Sequence, residues 1–171
     1  MGNPAKNNLE FRIYNLPLFK GFTLLEMLLV LGIIGILATV MVVAINPGRQ
    51  LAKARDTQRE TDIYTILATI QQYATEHNGT LPDTDGNPNT SNFPTSLTCI
   101  GTGAGCFNLA AAGDGTDSIV PTYLVAIPKD PKPLISGEGT DGNTGYKIKV
   151  DAYKHLTASA SGETKTIGLT K

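Results

Sequence analysis

Residues 20–38 read KGFTLLEMLLVLGIIGILA, and the apolar run they open continues to Ile45. From Phe22 to Ile45 only Thr23, Glu26, Gly32, Gly35 and Thr39 interrupt it. At ~1.5 Å per residue, roughly 24 helical residues span about 36 Å, enough to cross the hydrocarbon core of a bilayer. The run therefore predicts a transmembrane helix over 22–45. Glu26 stands a few residues inside it. A carboxylate there is costly unless it reaches the interface or something neutralises it. Gly32, Gly35 and Thr39 either let like helices approach closely or are simply tolerated in lipid.

Working toward the C-terminus, Asn46-Pro47-Gly48 follows at once. Proline removes a backbone donor and glycine weakens a helix, so Pro47 and Gly48 predict a stop or a kink. Arg49 to Asn78 then predicts a second helix. Ile63, Ile66, Leu67, Ile70, Tyr73 and Ala74 recur at three- and four-residue steps and make one apolar stripe. Its first half, RQLAKARDTQRETD, is polar nearly all round, with Asp56–Arg59 and Arg59–Asp62 placed to pair across one turn. That half is expected to be solvated or to face charged neighbours in an assembly. HNG ends the helix, with Gly79 as a left-handed cap.

Residues 80–118 are dense in Pro, Gly, Asn and Asp and predict a variable loop, with a short helix conceivable at AAAGDGTDS. Residues 119–171 are expected to be β-rich. In YKIKVD the apolar Tyr146, Ile148 and Val150 alternate with polar residues, and HLTASA and KTIGLT flank SGET as a hairpin. TYLVAIPKDPK, closed by prolines at 128, 131 and 133, leads into the sheet. The predicted fold is α+β: a long N-terminal helix, half membrane and half amphipathic, packed on an antiparallel sheet of three or four strands.

Residues 1–21 are polar, weakly basic and aperiodic, and read as a leader. The net charge of −1 excludes a strongly basic nucleic-acid binder. Loss of Lys6, Arg12 and Lys20 together with Glu10 would take it to −3. Cys99 and Cys106 enclose IGTGAG, a loop free to bend the sulfurs together, so a disulfide fits an exported domain, while two thiols remain open. Two cysteines and the scattered His77 and His155 form no zinc set. DTDGN and DGTD carry Asp83, Asp85, Asn87, Asp114 and Asp117 but do not match an EF-hand loop, and are expected to form Asx turns. No cofactor site and no catalytic constellation of the nucleophile-elbow or zincin type is present, so no enzyme is expected.

Lys20, Gly21, Phe22, Thr23, Leu24 and Glu26, with the apolar run behind them, resemble the processing and polymerisation segment of type IV pilins and of type II secretion pseudopilins. The resemblance covers roughly residues 20–45. It implies cleavage by a prepilin peptidase between Gly21 and Phe22, N-methylation of Phe22, and retention of Glu26 for assembly. A new ammonium at Phe22 would lie one turn from Glu26 and would pair with that carboxylate on a neighbouring copy. Gly32 and Gly35 would sit in the helix contacts of such a homopolymer.

The implied partners are other pilin subunits, the peptidase, and an inner-membrane platform with its assembly ATPase. Membrane lipid would hold the subunit before assembly. The implied route is a single-pass inner-membrane precursor with its C-terminal domain, 46–171, outside, followed by an extracellular filament. Charge counting does not decide this orientation, because Arg49, Lys53, Arg55 and Arg59 flank the other side. The cysteine pair and the resemblance place the domain outside. Three alternatives stay open: a pseudopilin, a monomeric anchored module binding DNA, sugar or a host surface, and a secreted protein cut after Ala44.

Overall fold

The computed structural model describes residues 21–87 and 90–171; residues 1–20 of the expected leader lie outside the described residues. The chain divides into two units, one ending at Ile45 and one running from Asn46 to Lys171.

The first unit is helix α1, Leu24–Ile45. It begins where the sequence supplies a cap. The Thr23 hydroxyl accepts the Glu26 amide at 3.1 Å, and the Thr23 carbonyl accepts the Met27 amide at 3.2 Å. Thr-x-x-Glu is the residue order of a capping box, and Glu26 also places its negative charge in the first turn. None of the 22 residues of α1 is buried.

The second unit starts with Asn46, whose φ of 47° interrupts the helical backbone. Its side-chain oxygen accepts the Arg49 amide at 3.3 Å and caps α2, Pro47–Glu76. The break therefore falls on Asn46, and Pro47 occupies the first helical position, where a missing N–H costs nothing. Thr57, Thr61, Thr65 and Thr69 each donate a hydroxyl to the carbonyl four residues back, an arrangement that spends polar side chains on the helix itself. At the far end Asn78 takes the left-handed φ of 54°, and Gly79 donates to the Ala74 carbonyl at 2.7 Å. This is a Schellman closure in which Asn78 occupies the place expected of Gly79.

Four strands form one antiparallel sheet in chain order: β1 Thr98–Cys99, β2 Tyr146–Val150, β3 Leu156–Ser161 and β4 Thr166–Thr170. Tyr146, Ile148 and Val150 are buried, as are Leu156, Ala158 and Ala160 opposite them. α2 packs on β3 and β4. Ile63, Ile66, Leu67, Ile70 and Tyr73 bury the predicted stripe against this face, where two alanines leave room for larger helix side chains. The expected loop is more ordered than its composition suggests. It contributes β1, bridges Asp83 to Gly113, and buries Phe93, Phe107 and Leu109. Residues 110–118 make turns and no helix.

Candidate functional site

The features singled out in the sequence fall in three places. Gly21, Phe22, Glu26, Gly32 and Gly35 belong to the first unit. Phe22 is 73% exposed, and a Cβ placed on Gly32 or Gly35 would meet nothing within 4 Å. Gly32, Gly35 and Thr39 follow one another at steps of three and four, so they share one side of α1. The Thr39 hydroxyl is turned back onto the Ile36 carbonyl at 2.7 Å, which removes its polarity from that side. Leu24 and Val43 are each 83% exposed. An apolar helix of this length with no buried residue fits a membrane anchor. It is long and apolar enough to cross a membrane.

Cys99 and Cys106 are joined in a disulfide. The closed loop lies beside the sheet edge, where the Phe107 amide donates to the Cys99 carbonyl at 2.7 Å. The Asp-rich stretches are Asx turns. Asp114 Oδ1 accepts the Thr116 and Asp117 amides, both at 2.9 Å, and Asp85 accepts the Asn87 amide at 2.8 Å. The Thr116 hydroxyl and the neighbouring amides hold the Asp114 carboxyl far below the usual carboxylate range. No group of three or more potential metal-ligating side chains occurs among the described residues.

The third place corrects the expectation for the polar half of α2. Arg59 is fully buried and Asp56 is 1% exposed. Arg59 does not pair with Asp62. Its guanidinium instead forks onto Asp130 at 2.9 and 2.6 Å, and also reaches Asp56 at 2.8 Å and the Lys132 carbonyl at 2.6 Å. Arg55 pairs with Glu163, which Lys132 also approaches at 3.4 Å. Asp56 accepts the Glu163 and Thr164 amides at 2.8 Å each. Asp62 is taken by the Tyr146 hydroxyl at 2.6 Å. Three cations and three carboxylates thus tie α2 to the β3–β4 turn and to the segment around Asp130.

Electrostatics follow from this wiring. Burial pushes the Asp56 carboxyl up, but the Thr164 hydroxyl and amide, the Glu163 amide and Arg59 outweigh it and hold the group at about 2. The Arg55 fork likewise holds Glu163 at about 2. Asp130 and Asp56 hold the Arg59 guanidinium well above its ordinary range, although burial opposes them. Gly162 belongs to the same construction. A Cβ there would fall 2.2 Å from the Lys165 carbonyl and 2.9 Å from Asp56 Oδ1, so only glycine lets the turn close over Asp56. The available signal was spacing: Asp56 and Arg59 precede Ile63 at steps of three and four and so lie in register with the apolar stripe.

Residues 18–42 match the family model described as the prokaryotic N-terminal methylation motif. This is the prepilin-type signal of type IV pilins and pseudopilins, and here it coincides with the capped start and most of the length of α1. No curated protein and no solved structure matches the chain.

Proposed function

We propose that this chain is a structural subunit of a type IV pilus-like filament. A prepilin peptidase removes residues 1–21, Phe22 is N-methylated, and residues 22–45 hold the subunit in the inner membrane before polymerising it. Residues 46–171 form the outer domain. The observation that carries the reading is that the methylation motif leads into an apolar helix none of whose residues is buried.

Once Gly21 is removed, the Phe22 ammonium of one copy pairs with Glu26 of its neighbour. An unpaired charge in a helix bundle costs several kcal/mol, so this pairing selects axial register more than it adds stability. Gly32 and Gly35 let the helices approach. The break at Asn46, followed by Pro47 and Gly48, is the bending point between the helical segments. An assembly platform and its ATPase drive extrusion.

The test is to shear cells, pellet the released material, and determine its intact mass and N-terminal sequence. A methylated chain starting at Phe22 in the sheared polymer is the expected result. The same start found only in membranes moves the subunit to a secretion pseudopilus. A start at Met1 or Ile45 refutes the reading.

A further inference from the structure

The two edges of the sheet are finished differently. At β1 the disulfide loop folds back onto the edge: the Phe107 amide donates to the Cys99 carbonyl at 2.7 Å and the Gly101 amide to the Phe107 carbonyl at 3.0 Å. At β4 nothing among the described residues does so. Leu156 and Lys171 exchange both backbone hydrogen bonds, at 2.7 and 2.9 Å, so Ala158–Leu169 and Ala160–Ile167 are the other bonded pairs of the β3–β4 ladder. Thr166, Gly168 and Thr170 alternate with them, are exposed, and turn their amides and carbonyls away from β3. No hydrogen bond joins those backbone groups to any described residue.

Gly168 stands at the middle of this open edge. A Cβ there would make only ordinary contacts, with the Ala158 carbonyl oxygen at 3.8 Å and Ser159 Cβ at 3.9 Å, so the packing does not demand glycine. A glycine inside a strand weakens it and marks a place where another backbone can come close. Beside it a groove of about 210 Å3 runs between α2 and β4, lined by Glu60, Ile63, Tyr64, Ile167, Gly168 and Leu169. Strand alternation sets Lys165, Ile167, Leu169 and Lys171 on the α2 side of β4. Lys165 pairs with Glu60 at 2.5 Å. The Lys171 ammonium lies 3.9 Å from the centre of the Tyr64 ring and has no carboxylate partner among the described residues.

We infer that β4 accepts an extended segment of another protein as a further antiparallel strand, one in which an acidic residue is followed at two and four positions by large apolar residues. The outward amides and carbonyls of Thr166, Gly168 and Thr170 supply the ladder, and the apolar side chains on the α2 side lie against Tyr64, Leu169 and Ile167. The antiparallel sense continues the sheet and starts the added strand at the Lys171 end, so its carboxylate comes first and meets that ammonium. The same edge of a second copy does not fit. Laid antiparallel about Gly168, it would set Lys165 opposite Lys171 at both ends, a like-charge pairing. Nor does this chain offer another segment. The order acid-x-apolar-x-apolar, with large apolar residues, occurs at Glu26 and at Asp62, and both stand inside helices.

The test uses the full chain in maltoside micelles at low salt, titrated with the peptide acetyl-Thr-Asp-Thr-Val-Thr-Leu-Thr-amide and followed by hydrogen exchange of single amides. Saturable slowing of at least tenfold is expected at Thr166, Gly168 and Thr170, without a comparable change at Ile167 and Leu169, whose amides β3 already holds. Lysine in place of the peptide aspartate is expected to weaken binding at least threefold, and Lys171→Glu to reverse that preference. Gly168→Pro removes an outward donor and no bond to β3, and is expected to weaken binding at least tenfold while Ala158 and Ala160 keep their protection. Should that variant misfold, the Lys171→Glu reversal decides. No saturable slowing, slowing shared evenly along β4, or a peptide preference that Lys171→Glu leaves unreversed overturns the proposal. Slow exchange at the same three amides without peptide, lost on dilution, gives the edge to a second copy and overturns it as well.

Discussion

Arg59 is the centre of the network that ties the first half of α2 to the segment around Asp130. Its guanidinium is buried and satisfied on all sides by Asp130, Asp56 and the Lys132 carbonyl. Arg59→Ala would strand two carboxylates in a dry site. Removing one partner of a buried pair costs about 3–5 kcal/mol. Urea unfolding of the variant is expected to show a loss of that size, while Arg49→Ala, on the exposed side of the same helix, stays within about 0.5 kcal/mol of the parent. Equal midpoints for the two variants would refute this account. The charges themselves were legible as residues. Their burial was not, because the complementary Asp130 and Glu163 lie 71 and 104 residues downstream of Arg59, and local spacing carries no information about them.

Among the elements, α1 and the disulfide loop make separate predictions. Glu26→Ala is expected to leave the second unit folded, since that side chain contributes nothing to its core, and to abolish recovery of sheared polymer. Filaments from that variant at parental yield would remove Glu26 from assembly. Reduction of Cys99–Cys106 opens a loop with a sequence separation of 7. Chain entropy for so short a loop amounts to about 2–3 kcal/mol. Unfolding midpoints with and without reductant should differ by that amount, and hydrogen exchange should rise first around Cys99 and Phe107, where the edge strand is held. Period-two alternation located β2 because its partners on both sides bury one face, whereas the two-residue β1 has no period to read.

For the whole molecule, acid and truncation are the informative perturbations. Asp56 and Glu163 both sit at about 2 in the folded chain, against about 3.9 and 4.3 for free carboxylates. Their folded values are depressed, so their contribution is fully present above roughly pH 4–5. It is lost as pH falls through about 2. Stability should therefore be flat from pH 7 to about 5 and fall steeply below it, with Asp56→Asn already weaker at pH 7 and less sloped in acid. A parental acid profile in Asp56→Asn would refute the assignment. The second unit holds its own core from Ile63 to Ile167. Residues 46–171 expressed alone are expected to unfold cooperatively and to remain soluble without detergent, unlike the full chain with its exposed α1.

Residues 20–45 settle by themselves the helix, its cap and the kind of environment it needs. Apolar composition over that length and a Thr-x-x-Glu start are local properties. The stripe from Ile63 to Tyr73 and the alternation at Tyr146–Val150 likewise specify an α+β pairing, because periodicity is written along the chain. The tertiary structure alone decides what lies opposite each face. It turns Arg55, Asp56 and Arg59 of α2 inward onto Asp130 and the β3–β4 turn, and brings the Asp-rich loop to the end of α2, with Asp114 3.4 Å from His77 Nε2. Such pairings join residues tens of positions apart, and their energies depend on desolvation, which exists only once the chain has closed around them.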